Sequence, residues 1–422
     1  MQIPSTDLEF SLVCFDLSIY GHHPHYILHL CKGWTARSPL GTLFFVVSPQ
    51  FLKVHADVVR QCSQGASVQF VAITEAEQTA LKSRSSGIAR NLRNFQEWRL
   101  FARYAQLLQA DHALMLYLDT CLLPMAAGLS FPCPVSGIYF RPTFHYYTFS
   151  PRPQTWRDRL QAWRDRLILG AALRHPQFRT LFSLDPIAPG HITPPPHVKV
   201  CALADPVDLA YQSAGSGVEL RQQLEIEGDR TVFLLFGALT ARKGIYPLLE
   251  SLELLPDEVC QQVCLILLGE ANAGDQPRIA RSVSLLRQCK PIQILERYEF
   301  VEDSVLHQYI EIADVVLALY QKHVGMSGIL MQAALHQKPV LSSDYGLMGE
   351  LVRQYELGLA IQSEKPGAIA NGITHYILQG QEININLHRT HELIANHTST
   401  KFSTSILSEC VSQEIYAKAQ HL

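Results

Sequence analysis

Short apolar runs rich in β-branched and aromatic residues recur along this chain, separated by longer stretches with helical spacing. In the first half Ser11–Asp16, Thr42–Val47, Val68–Ile73, Ala113–Leu118 and Val135–Phe140 read as strands. After a break the pattern returns at Thr231–Phe236, Val263–Leu268, Pro291–Leu295, Val315–Leu319 and Pro339–Ser342. Several of these runs are apolar at nearly every position, which a strand covered on both faces requires. Strands alternating with helices predict an open, doubly wound parallel sheet. The fold class is therefore α/β, with two Rossmann-like units.

Between the two sets lies Pro186–Pro206, where Pro189, Pro194, Pro195, Pro196 and Pro206 forbid a continuous helix and favour extended chain. This places an N-terminal Rossmann-like domain at 1–206 and a second at 207–400, with Asp208–Gly217 as linker. A helical pattern over Ser403–Leu422 marks 401–422 as a C-terminal helix suited to packing back on the first domain. The 422 residues are too many for one ordinary core and sufficient for two.

Composition narrows the classes. Hydrophobic residues make up 47% and charged ones 17%, a globular balance. A net charge of −3 supplies no global basic field, so no nucleic-acid partner is expected. Met1–Phe10 carries Asp7 and Glu9 and does not read as a secretory signal, and runs such as Val232–Phe236 are too short to span a bilayer. The expectation is a cytoplasmic protein. Ten cysteines without a Cys-x-x-Cys pair read as reduced core residues rather than a metal or disulfide framework.

Ligands of open α/β sheets sit beyond the carboxyl ends of the strands, so the strand-to-helix loops carry the candidate chemistry. Phe233–Gly244 runs from a buried strand through Gly237 to Arg242 and Lys243 at a helix start, a place for an anion or simply for solvated loop charges. His323–Ala334 follows another strand. There Gly325 and Gly328 let backbone approach a ligand, and Ser327 caps a helix or bonds an oxygen. Leu341–Val352 holds Ser343, Asp344 and Gly346, which either close over a sugar or only make a turn.

The order of these loops resembles the donor domain of the GT-B retaining glycosyltransferases of family 4, over about Thr231–Ile361. Gly269-Glu270 after the second strand, Ala313-Asp314 before the fourth and Gln332-Ala333 ahead of Pro339-Val340 belong to the same likeness. The resemblance implies two Rossmann-like domains facing a cleft, the donor on the second and the acceptor on the first. It implies a nucleoside-diphosphate sugar such as a UDP or GDP sugar as substrate, no cofactor and no metal. The hexosyl group would pass, with retention, to a hydroxyl of a saccharide, lipid-linked or small-molecule acceptor. By the same likeness Lys243, with Arg242, meets the donor diphosphate, Gly237 opens the loop, Ser327, Gly328 and Ile329 offer backbone N–H groups, and Gln332 reaches the ribose. Glu270 and Tyr298 lie near the base or ribose. Two departures stand out. The family's acidic pair falls on Val324 and Gln332, and an arginine common after the first glycine is Ala238. His323 is the candidate to replace the acid lost at Val324.

In the first domain Gly21 matches the position of the acceptor-side glycine loop, with His22, His23 and His25 beside it. Adjacent histidines point different ways, so substrate contact is favoured over metal. Arg141 and His145, at a strand end, would orient the acceptor or stabilise the leaving group, or else pack. In 153–179, Trp156, Leu160, Trp163, Leu167 and Ala171 follow helical spacing among arginines. That pattern fits either peripheral contact with an anionic membrane at its inner face or a core-packed helix with a solvated side. Rival readings are a nucleotide-sugar epimerase or a phosphorylase on the same fold, and a catalytically silent glycosyltransferase-like binding subunit.

Overall fold

The computed structural model describes residues 10–37, 41–65, 67–81, 87–149, 155–206, 217–379 and 385–411. They fall into two compact units. The first lies within Met1–His145, Gln154–Pro206 and His397–Leu422, the second within Tyr146–Pro153 and Val207–Asn396.

The first unit holds β1 (Phe10–Asp16), β2 (Gly41–Val47), β3 (Val68–Ala72), β4 (His112–Met115), β5 (Val135–Tyr139), β6 (Phe178–Ser183) and β7 (Lys199–Ala202). They form one seven-stranded sheet in the order β3-β2-β1-β4-β5-β6-β7, with every pairing parallel. The order reverses at β1, so β1 and β4 diverge at their carboxyl ends and leave a crevice there. β6 was hidden in the sequence because it follows the Trp156–Leu173 helix almost directly; Arg174 ends that helix and Pro176 prevents its continuation. β4 is shorter than Ala113–Leu118, for the chain turns into a 3-10 helix at Leu118–Thr120 and the Asp119 carboxylate accepts the Phe140 N–H at 2.9 Å.

The second unit holds β8 (Thr231–Phe236), β9 (Val263–Leu268), β10 (Gln293–Arg297), β11 (Val315–Ala318), β12 (Val340–Ser343) and β13 (Gly358–Ile361). Their order is β10-β9-β8-β11-β12-β13, again all parallel. All six side chains of β9 are buried, as its unbroken apolar run demands. β13 escaped the sequence reading because four residues with a leading glycine carry little signal.

Three boundaries differ from the expectation. Residues 146–149 belong to the second unit, because the Tyr146 hydroxyl accepts the Gly325 N–H at 2.9 Å. Residue 397, not 401, begins the return to the first unit, where the Ser399–Cys410 helix packs on the His23–Arg37 helix. A Cβ on Gly33 would lie 2.5 Å from Ser403, so the glycine sets how close these helices come. Of the expected linker, 208–216 lies outside the described residues and Gly217 already starts a helix; 412–422 also lies outside them. The cysteines are free, but Cys289 is exposed and Cys201 half-buried, so these two are not core residues.

Candidate active site

In the second unit the chain leaves β8 through Gly237 at φ 88, makes a 3-10 turn over Ala241–Lys243 and enters the Ile245–Glu253 helix through Gly244 at φ 80. Both glycines sit where a side chain would be strained, and a Cβ on Gly244 would also lie 2.1 Å from the Leu319 carbonyl. The turn drives Lys243 inward. Its ammonium donates to the Phe236 carbonyl at 3.2 Å and lies 4.6 Å from the centre of the Tyr320 ring. Burial holds its pKa below the usual 10.5, with Tyr320 opposing that shift and Arg242 adding to it. A buried cation faced by a carbonyl and aromatic rings gains most when an anion reaches it.

Arg242 covers the same ring at 5.4 Å and approaches His323 Nδ1 at 3.4 Å. His323 stacks on Tyr320 at 4.5 Å, and its Nε2 lies 3.1 Å from the Met326 carbonyl. This network places the proton on Nε2, with Nδ1 accepting from the arginine. His323 therefore braces the loop between β11 and the Gly328–Leu335 helix, and acting as a base would require it to leave these partners.

That helix begins at Ser327, whose side chain makes no capping bond. Ser327 Oγ and Gln332 Oε1 are both buried and have no hydrogen-bond partner among the described residues. Native proteins seldom leave such atoms unpaired. Gln332 lies one turn after Gly328, so the two oxygens stand beside the positive end of one helix. The third loop closes on the same place, since a Cβ on Gly346 (φ 58) would meet the Tyr146 ring at 2.6 Å and the His323 carbonyl at 3.4 Å. Arg242, Lys243 and His323 thus gather round Tyr320, and His323 ties them to the loop that leads into the Ser327 helix start. Tyr320 and Tyr146, which organise this cluster and its loop, were not identified from the sequence. Tyr320 directly follows a buried strand, but nothing local connects Tyr146 to this site.

Residues 218–390 match the family model described as glycosyl transferases group 1. The chain carries a glycosyl transferases group 1 domain. No curated protein sequence matches it. Among solved structures it is similar to Alr3699/HepE of Anabaena in complex with UDP-glucose, at 16% identity and a TM-score of 0.63, covering 98% of this chain and 100% of that one. It is also similar to the sucrose-phosphate synthase of Thermosynechococcus elongatus, at 14% identity and a TM-score of 0.65, with 98% and 100% covered. A glycosyltransferase from Rickettsia africae shares 11% identity with a TM-score of 0.63, over 98% of this chain and 99% of that one. The fold is GT-B.

Within the glycosyl transferases group 1 domain the remaining candidates spread out. Gly269 lies against Gly237, for a Cβ there would meet the Gly237 carbonyl at 2.3 Å; Glu270 beside it is exposed, and its carbonyl accepts the Leu239 N–H at 2.8 Å. Tyr298 donates its hydroxyl to Glu296 and packs its ring on the domain core, so that hydroxyl is already committed. Val324 is half-buried and Ile329 buried.

The first unit has its own cavity of 610 Å³ at the carboxyl ends of β1 and β4, lined by Asp16, His23, Arg93, Glu97, Tyr117 and Thr120 among others. His23 starts its helix after Gly21 (φ 70), bonds Asp16 Oδ2 through Nδ1 at 2.6 Å and stacks on Phe140 at 5.9 Å. Burial alone would lower its pKa, but the bond to Asp16 and that carboxylate's charge raise it above 6.5 overall. Glu97 is buried, and its Oε2 has no hydrogen bond among the described residues but lies 4.0 Å from Arg93 Nε; burial pushes its pKa to about 7, and that arginine opposes the shift. The sequence signal for Glu97 was a charge one turn before Phe101 on the buried face of the Gly87–Leu107 helix.

The other first-unit candidates do not line this cavity. His22 and His25 are exposed. Arg141 is exposed, and its charge opposes the upward shift that burial gives the Tyr117 hydroxyl. His145 is fully buried, with Nε2 2.9 Å from Asp185 and its ring 5.2 Å from that of His191, which is the packing alternative of its two readings.

Proposed function

We propose that this protein transfers a hexosyl group from a nucleoside-diphosphate sugar, held on the second unit, to an acceptor hydroxyl in the cavity of the first. The observation that carries the donor half is the pair of buried oxygens, Ser327 Oγ and Gln332 Oε1, with no hydrogen-bond partner among the described residues, on the helix that follows the Tyr320–His323 cluster round Lys243. A diphosphate supplies the missing charge to Lys243 and Arg242 and accepts from the first-turn N–H groups, and ribose hydroxyls supply donors for Gln332. As the glycosidic bond breaks, negative charge grows on the departing diphosphate, and these fixed cations and dipoles meet it without reorganising. HepE, whose structures hold UDP, glucose and UDP-glucose, makes a UDP sugar the first donor to try. Retention of configuration follows from the family likeness, by front-face return through an oxocarbenium-like state.

In the first unit His23 and Glu97 offer the acceptor one group able to take a proton and one able to hold it near neutral pH, where their hydrogen bonds orient a hydroxyl. A second reading, a silent binding subunit, is favoured by Val324 and Gln332 standing where the family has acids. Melting the protein with UDP, GDP and ADP and their sugar conjugates separates these readings from a protein without a donor site. A true ligand at a hundredfold excess over its Kd stabilises the folded state by about 2.7 kcal/mol. The expected result is a rise with one base that is lost in Lys243→Ala. A rise without release of the nucleoside diphosphate, across saccharide and lipid-linked acceptors, would establish the silent subunit. No rise with any nucleotide would overturn the donor site itself.

A further inference from the structure

The Trp156–Leu173 helix of the first unit starts at a built N-terminus, where Asp158 accepts the Thr155 N–H at 2.9 Å and Thr155 Oγ1 accepts the Asp158 N–H at 3.3 Å. Leu169, Ala172 and Leu173 turn inward and are buried. With successive residues about 100° apart round a helix, Trp156, Leu160, Trp163 and Leu167 fall within a sector of about 60° on the opposite side. They are 69%, 55%, 60% and 53% exposed. A stripe of four large apolar side chains, two of them tryptophan, is thus displayed rather than packed, which removes the core-packed reading of this stretch.

Charge is ordered round the same helix. Helical spacing puts Arg157 and Arg164 along one edge of the stripe and Arg159 and Arg166 along the other, and all four are exposed. The two acids lie on the far side, Asp158 in the N-terminal cap and Asp165 bonded to Arg164 at 2.7 Å and to the Thr143 hydroxyl at 3.4 Å. Since the whole chain carries a net charge of −3, the attraction this surface exerts is local. An apolar ridge edged on both sides by guanidinium groups matches a surface that is apolar just beneath a layer of phosphates.

We propose that this helix docks the protein on an anionic lipid bilayer, with Trp156 and Trp163 seated at headgroup level, Leu160 and Leu167 below them, and the arginines on lipid phosphates. The proposal does not depend on the donor reading. Flotation of the full chain with vesicles of phosphatidylcholine, with and without roughly 30% phosphatidylglycerol, tests it directly. Binding is expected on the anionic vesicles, about tenfold weaker on the neutral ones, and reduced by salt.

The protein also carries its own reporter. Of its four tryptophans Trp34 and Trp98 are fully buried, so a blue shift and loss of aqueous quenching on the vesicles report Trp156 and Trp163. The double variant Trp156→Ser, Trp163→Ser should lose at least about tenfold in binding while its melting curve stays unchanged. Absence of wild-type binding to anionic vesicles overturns the proposal, as does binding that the double variant leaves intact. Self-association in solution that the double variant abolishes, without vesicle binding, would assign the stripe to a second copy instead.

Discussion

Glu97 shows at the scale of one residue how a site is held against stability. Its carboxyl ionises at about 7 in the folded protein, mainly because burial disfavours the charge, against an ordinary 4.5. Below 4.5 both folded and unfolded chains carry the proton and no penalty exists. Between 4.5 and about 7 the unfolded chain releases its proton first, so stability falls as pH rises, and the full penalty stands above that range. Glu97→Gln should therefore stabilise the protein at pH 8 by up to ~3 kcal/mol, shrinking to less than ~1 kcal/mol at pH 5. Denaturant melts at the two pH values check this; an equal gain at both would mean that Glu97 titrates normally. Lys243 is the cationic counterpart, buried where only an anion rewards its charge.

At the scale of elements, the glycine turns of the second unit are legible in the sequence, while their support is not. Gly237, Gly325 and Gly346 take left-handed backbone at the loop positions where the sequence places glycines. What fixes the Gly325 loop is the Tyr146 hydroxyl, 179 residues away in sequence. Tyr146→Phe leaves the buried Gly325 N–H without that acceptor and should cost roughly 1–3 kcal/mol. It should also weaken nucleotide binding, because the loop leads into the Ser327 helix start. Calorimetry with and without UDP measures both; a variant that melts and binds like the wild type would show that other contacts hold the loop. The missed strands have two causes. β7 and β13 span only four residues each and are recognised by the neighbours they pair with rather than by a long apolar run, whereas β6 is masked by the helix that runs almost directly into it.

At the scale of the whole molecule, the chain returns to its first unit at residue 397 after completing the second. The Ser399–Cys410 helix buries Phe402, Ile406 and Leu407 there, with the Phe402 ring 5.0 Å from Tyr26. Burying each such side chain is worth about 1.5–3 kcal/mol. Ending the chain after Asn396 should thus destabilise the first unit by several of these increments. Trp34, buried in the helix against which the last one packs, reports that melt by fluorescence. An unchanged Trp34 transition would mean that the last helix adds nothing to the first core. No helix among the described residues is long and apolar enough to cross a membrane.

The sequence by itself determined the two sets of parallel strands, the glycine loops that end them and the family likeness of the second unit. These are local properties: a strand covered on both faces must be apolar at successive positions, and a left-handed turn must fall on residues that tolerate it. Tertiary structure alone decided which side chains those loops serve. Lys243 is buried because Tyr320 covers it, His145 packs within the first unit because Asp185 meets it, and Glu97 lines a cavity because β1 and β4 diverge above it. The tryptophan stripe faces outward because Leu169, Ala172 and Leu173 claim the inner side of its helix. Helical spacing could announce two apolar faces, but only the packing of the first unit chose which of them is covered.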